Sequence, residues 1–316
     1  MKDKRKTLFS WVARCLVLAT LLAFSAEMVR AGDLDELKQR GVLRHLGVRY
    51  ANFVTGSGDG LDVELMKLFA DHLGVTYQYV ETTWEKAIGD LTGKLIEVKG
   101  EDVKIKGDTE IKGDIIANGL TLLAWREKIL EFSIATFPTQ VWLLTSADAP
   151  ANPIQPSQDI AQDIAATKAL LTDYKIPEVI GIANTCVDPR LYQLEPTGTR
   201  IRLVDLNLNE LAPAVINGVS GATLLDVPDA LMALEKWTGR IKILGPISKP
   251  QLMACGFAKT SPELRAAFNA FFEECKQKGI YRDLVKKYYP LALTYFPEFF
   301  DVREAGAARG SSKSMN

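Results

Sequence analysis

The side chains best suited to chemistry in this 316-residue chain are a few charged and polar groups set beside glycines. Arg126 lies in the run NGLTLLAWREKILEFS over 118–133. Its guanidinium presents planar, paired donors that match a carboxylate bidentately. The adjoining Glu127 and Lys128 leave a plainer alternative open, a charged arginine on a surface helix. Thr121 follows Gly119 by two residues, so in an extended segment both face one side. The hydroxyl can donate to a carboxylate, and the Gly119 carbonyl can accept from an ammonium. Asp226 stands after the apolar run ATLL and before Pro228, as a binding acid or as a turn aspartate.

Other chemistries are excluded or disfavoured by composition. There are 2 histidines and 4 cysteines, so a His-rich metal site is impossible, and no CxxC pair starts a zinc site. No metal and no cofactor are expected. Lys plus Arg number 38 against 39 Asp plus Glu, a net charge of -1, with no long basic run beyond the N-terminus. That balance gives no electrostatic reason to expect nucleic acid. Cys186 precedes a helix start, where a thiol pKa can fall, although a structural thiol is the simpler reading. A Cys255–Cys275 bridge is left open.

The elements that must position these groups alternate. Residues 61–73 carry Leu61, Leu65, Leu68, Phe69 and Leu73 at helical spacing, and Gly74 stops the helix. Short apolar runs at 42–48, 75–80, 114–117, 179–182, 201–204, 222–225 and 241–244 read as strands. Helical patterns at 33–40, 84–91, 188–194, 208–217, 262–278 and 281–288 lie between and after them. This βαβα rhythm predicts an α/β fold with mainly parallel sheets. Residues 95–112 (LIEVKGEDVKIKGDTEIK) break the rhythm and read as an inserted, solvent-facing β-hairpin. The Pro-, Ala- and Ser-rich stretch 146–163 reads as a loop. The 301–316 tail, rich in Gly, Ala and Ser, reads as disordered. At the start, Lys2, Lys4, Arg5 and Lys6 precede an apolar run over 15–26, too short to span a bilayer. Residues 1–31 are therefore expected to be an export signal cut after Ala31, with a periplasmic mature protein. Cys15 lies too early in it for lipidation.

Taken together, the motifs resemble the type II periplasmic solute-binding proteins, the polar amino-acid family of ABC transporters. Gly119, Leu120, Thr121, Arg126, Phe132 and Ser133 match that family's central motif, with Glu131 in place of an aspartate. The runs RGVLRHLGV, GLDVELMKLFADHLG, TWEKAIGDLTGK, INGVSGATLLDVPDAL and KGIYRDLVKKYY follow in the family's order, covering about 33–290. The resemblance implies a two-lobed fold, a hinge of two crossovers near 137–141 and 245–251, and a ligand cleft between the lobes. One lobe would take 33–138 and 252–300, the other 139–251.

It also implies roles. Arg126 would grip a ligand carboxylate, and Asp226 an α-ammonium. Trp84, Tyr50 and, more weakly, Phe53 would pack on the ligand, and the loop at Thr185 would help hold the carboxylate. Leu123 stands where the family has a second threonine, and Asn184 where it has a glycine. The expected protein is a monomeric binder of a small zwitterion that delivers it to a membrane permease or a sensor. It is expected not to be an enzyme. A cyclohexadienyl dehydratase-like enzyme and a ligand-sensing accessory protein are the alternatives. Lytic transglycosylase activity is disfavoured, because no second catalytic domain follows.

Overall fold

Residues 33–300 are described in a computed structural model of the chain. The expected export signal, its cysteine and the tail all fall outside them. Helix Leu61–Leu73 follows from its sequence: Leu61, Leu65, Met66 and Phe69 turn one face inward and are buried. Gly74, at φ 71°, ends it in the left-handed region that glycine enters at little cost. Leu68, on the same apolar spacing, remains 36% exposed.

Two five-stranded sheets form the body of the protein. The first draws on β1 (Val42–Gly47), β2 (Thr76–Glu81), β5 (Ile115–Ile116), β6 (Leu130–Phe132) and β14 (Gly256–Ala258), in the order β2-β1-β5-β14-β6. The second draws on β8 (Val141–Ser146), β9 (Glu178–Gly181), β10 (Arg200–Leu203), β11 (Ala222–Asp226) and β12 (Ile241–Pro246), in the order β10-β9-β11-β8-β12. Two strands link them, β7 (Phe137–Thr139) and β13 (Gln251–Met253), paired antiparallel. This is the two-lobed architecture with two crossovers that the motifs imply.

The sheets are mixed rather than mainly parallel. β1 runs parallel to β2 and β5, and β9 to β10 and β11. β8 is antiparallel to β11 and β12, and β14 to β5 and β6. The reason is entry direction. β8 and β14 follow the linking strands directly, with no crossover helix before them. They start at the cleft and run away from it, whereas β11 ends there, with Asp226 paired to Val141 at the start of β8. The second crossover overlaps the expected 245–251: β12 ends at Pro246, and the linking strand β13 begins at Gln251.

Two further expectations need correction. The stretch 146–163 is not all loop, since helix Ile160–Asp173 starts inside it, where Asp159 accepts the Ala161 N–H at 2.8 Å. Helix Val227–Lys236 went unread because its cap, Asp226, reads equally well as a turn residue. Residues 95–112 hold the hairpin of β3 (Lys94–Lys99) and β4 (Asp102–Asp108), with Val98 opposite Val103. Cys186, Cys255 and Cys275 are buried and free.

Candidate binding site

The site is built where strand ends and short loops of both lobes meet. Asp226 ends β11 and caps the following helix, accepting the Asp229 N–H at 3.4 Å. Its other contacts are the Cys186 Sγ at 3.4 Å and the Tyr50 hydroxyl, which donates to it from the facing lobe. Burial raises the Asp226 carboxyl above its usual range, and the Tyr50 hydrogen bond opposes that shift. Burial, then the Asp226 charge, also raises Asp229.

Arg126 faces the same gap from the short helix Ala124–Glu127 and is 2% exposed. It donates to the Thr121 carbonyl at 2.8 Å and to the Asn184 carbonyl of the opposite lobe at 3.0 Å. Its Nε is buried with no hydrogen-bond partner. Among the described residues no carboxylate pairs with it. Trp125 and Trp84 lie 5.2 and 5.8 Å from the guanidinium carbon. Burial pulls its pKa down to about 10. The surface-arginine alternative is thereby excluded.

Gly119 is not extended, contrary to expectation. Its φ is +67°, its N–H reaches Asp62 at 2.8 Å, and a Cβ there would sit 2.6 Å from the Phe53 ring. Phe53 itself is placed beneath the pocket wall, not in it. Its ring is packed 5.8 Å from Tyr50, 5.3 Å from Phe137 and 5.0 Å from Tyr289. Thr121 and Thr185 are both buried, and the Thr185 hydroxyl donates to the Ile182 carbonyl at 2.8 Å. Asn184 takes φ 62°, which explains how it replaces a glycine, since asparagine tolerates this region better than most residues.

Tyr50, Trp84, Gly119, Thr121, Arg126, Thr185 and Asp226 thus line one tightly closed space with no room for a water molecule. Of the residues singled out from sequence, only Phe53 is left out. Cys186, read from sequence as a structural thiol, completes the lining with Leu208, which was not singled out. The capping box of Asn207 and Glu210, which sets the turn at Leu208, was a readable signal for the latter. The Cys186 thiol is not acidified: burial, reinforced by Asp226, raises it. A larger groove of about 740 Å³ opens elsewhere, where Arg40 and Arg44 each lie 2.7 Å from Asp114.

Across the gap the lobes touch through Tyr50 and Asp226, the Ala51 N–H and Asn209 Oδ1 at 3.2 Å, and Arg126 and Asn184. Tyr50→Phe keeps the ring but deletes the hydroxyl. It is expected to remove about 1.5–3 kcal/mol of cross-lobe attraction and shift the protein toward open forms. Small-angle scattering should show a larger radius of gyration; an unchanged curve would remove Tyr50 from the closure. Among the described residues there is no group of three or more His, Cys, Asp or Glu suited to a metal, and no helix long and apolar enough to cross a membrane.

Comparison with known proteins agrees with this fold. Residues 102–290 match the bacterial extracellular solute-binding proteins, family 3. A mutant ArgBP from T. maritima superposes with TM-score 0.64 at 22% identity, over 81% of this chain and 99% of that one. An ancestral amino-acid-binding protein, a precursor of cyclohexadienyl dehydratase, gives 0.61 at 23% over 82% and 100%. An ancestral arginine-binding protein bound to arginine gives 0.61 at 20% over 79% and 99%. These identities speak for the fold. A membrane-bound lytic murein transglycosylase F of Desulfosudis oleivorans is 25% identical over 93% of this chain and 58% of its own length. The chain therefore spans little more than half of that relative. The expectation of a non-enzyme does not stand, since a protein named as a murein transglycosylase is a distant relative and a precursor of cyclohexadienyl dehydratase has a similar fold.

Proposed function

The chain belongs to the bacterial extracellular solute-binding proteins, family 3, and from that premise we propose that it captures a small zwitterion, an amino acid or a close relative, between its lobes. In this reading the carboxylate docks on Arg126 with help from Thr121 and Thr185. The ammonium docks on Asp226 and the Gly119 carbonyl, and Trp84 and Tyr50 pack on the ligand. The observation that carries it is a buried guanidinium with an unpartnered Nε, facing a buried carboxyl on the opposite lobe. Burying each charge is costly unless an opposite charge meets it, and a zwitterion supplies both. Closure follows from tighter binding to the closed form. The export signal, the periplasmic location, a monomeric state and delivery to a permease or a sensor complete the proposal.

A thermal-shift screen against the twenty L-amino acids tests it, with the matching 2-hydroxy acids and amines as controls. A ligand at 100 times its Kd should add about 2.7 kcal/mol of stability. The controls should add far less. A silent panel, or a hydroxy acid as effective as its amino acid, would overturn the zwitterion reading.

One observation favours a second reading, an enzyme on the same site. The Asp226 carboxyl, raised by burial, lies at the pocket wall beside Tyr50 and Cys186, the setting a general acid needs. Consumption of prephenate or arogenate, or release of soluble fragments from purified murein, lost in Asp226→Asn, would establish it.

A further inference from the structure

Asp62 stands in the first turn of helix Leu61–Leu73 and is 2% exposed. Its Oδ2 accepts the Gly119 N–H at 2.8 Å, while its Oδ1 is buried without a hydrogen-bond partner. Among the described residues no Lys, Arg or His pairs with it. The ionisable groups that face it are Cys255, just before β14, Tyr281 from helix Ile280–Tyr288, and Tyr289. Burial raises all three further from neutrality, so none carries charge there. A buried carboxyl with no cation is expensive, and a neutral acceptor would satisfy one N–H without that cost. What a carboxylate adds is a stronger hold on the donor. The donor belongs to Gly119, which lines the pocket at φ +67° and opens the segment leading to Thr121 and Arg126.

We propose that Asp62 is a positioning residue of the pocket, gripping the Gly119 N–H from behind and so fixing where 119–126 presents its carbonyl, hydroxyl and guanidinium. The proposal rests on the reading of this pocket as a zwitterion site. Burial raises the Asp62 carboxyl to about 7. Its folded-state pKa lies above the unfolded value, so its contribution to stability is greatest under acid conditions and is lost as pH rises through about 7. The grip runs the other way and strengthens as the group ionises. Stability and binding therefore trade against each other at this residue.

The experiment is an NMR titration of the protein and of Asp62→Asn between pH 5.5 and 8.5, with melting curves and the amino-acid panel at both ends. Asparagine keeps an acceptor and removes the charge. In the parent protein the Gly119 amide should titrate with a midpoint near 7, and the Thr121 amide with it; in Asp62→Asn both should be flat. At pH 8.5 the variant should melt higher, yet bind the best L-amino acid of the panel about tenfold more weakly. A Gly119 amide that does not titrate, or a variant binding as tightly as the parent, overturns the proposal. If no amino acid binds either protein, the zwitterion reading fails, and a Gly119 amide that titrates without Thr121 following would then overturn Asp62's role by itself.

Discussion

Arg126→Met is expected to abolish stabilisation by amino acids while changing the melting of the protein alone by less than about 2 kcal/mol. Two opposing effects decide the second half. Methionine leaves the Thr121 and Asn184 carbonyls without the donors now 2.8 and 3.0 Å away, at about 1 kcal/mol each. It also removes a desolvated cation whose Nε has no partner, and replacing such a charge with an apolar chain of similar length recovers a comparable amount. Binding has no such compensation. A ligand carboxylate brought into the gap would face buried carbonyls and no cation. The loss should be about 3–5 kcal/mol, two to three orders of magnitude in Kd. Arg126→Lys should fall between, because an ammonium keeps the charge but not the planar fork. Melting curves of all three proteins with the panel decide it. An undiminished shift in the methionine variant would detach Arg126 from the ligand.

Much of this was legible in the sequence, and the reasons differ by residue. Helix Leu61–Leu73 announces itself by spacing and a terminal glycine, both local signals. Arg126, Thr121 and Asp226 were readable because ordered motifs place them, and the fold brings them to one pocket although more than half of the described chain runs outside 121–226. The direction of β8 was not readable, since its six residues look alike whichever way the strand runs. It is set by the link before it. Phe53 misled for a related reason. An aromatic near a cleft motif can pack on a ligand or under the backbone that holds it, and only the positive φ of Gly119, invisible in one sequence, separates the two. Asn184 looked like a defect in the motif until its φ of 62° showed it meeting the same backbone demand as the glycine it replaces.

That relation between Gly119 and Phe53 gives the second large effect. Gly119→Ala should destabilise the protein by roughly 2–5 kcal/mol, combining left-handed strain of about 1–2 with overpacking of about 1–3. The added methyl would lie 2.6 Å from Phe53 Cδ2, and the ring cannot retreat because Phe137 and Tyr289 hold it at 5.3 and 5.0 Å. The two costs separate in a double variant. Phe53→Leu alone should cost about 1 kcal/mol or more by leaving a cavity. Combined with Gly119→Ala it should cost less than the sum of the singles, because the methyl fills part of the space the ring vacates. The strain of φ +67° should persist in the double variant, since no side chain at 53 changes the backbone at 119. Binding should therefore stay weak even where stability returns. Urea unfolding and the amino-acid panel on the four proteins measure both, and simple additivity would show that ring and glycine do not share one constraint.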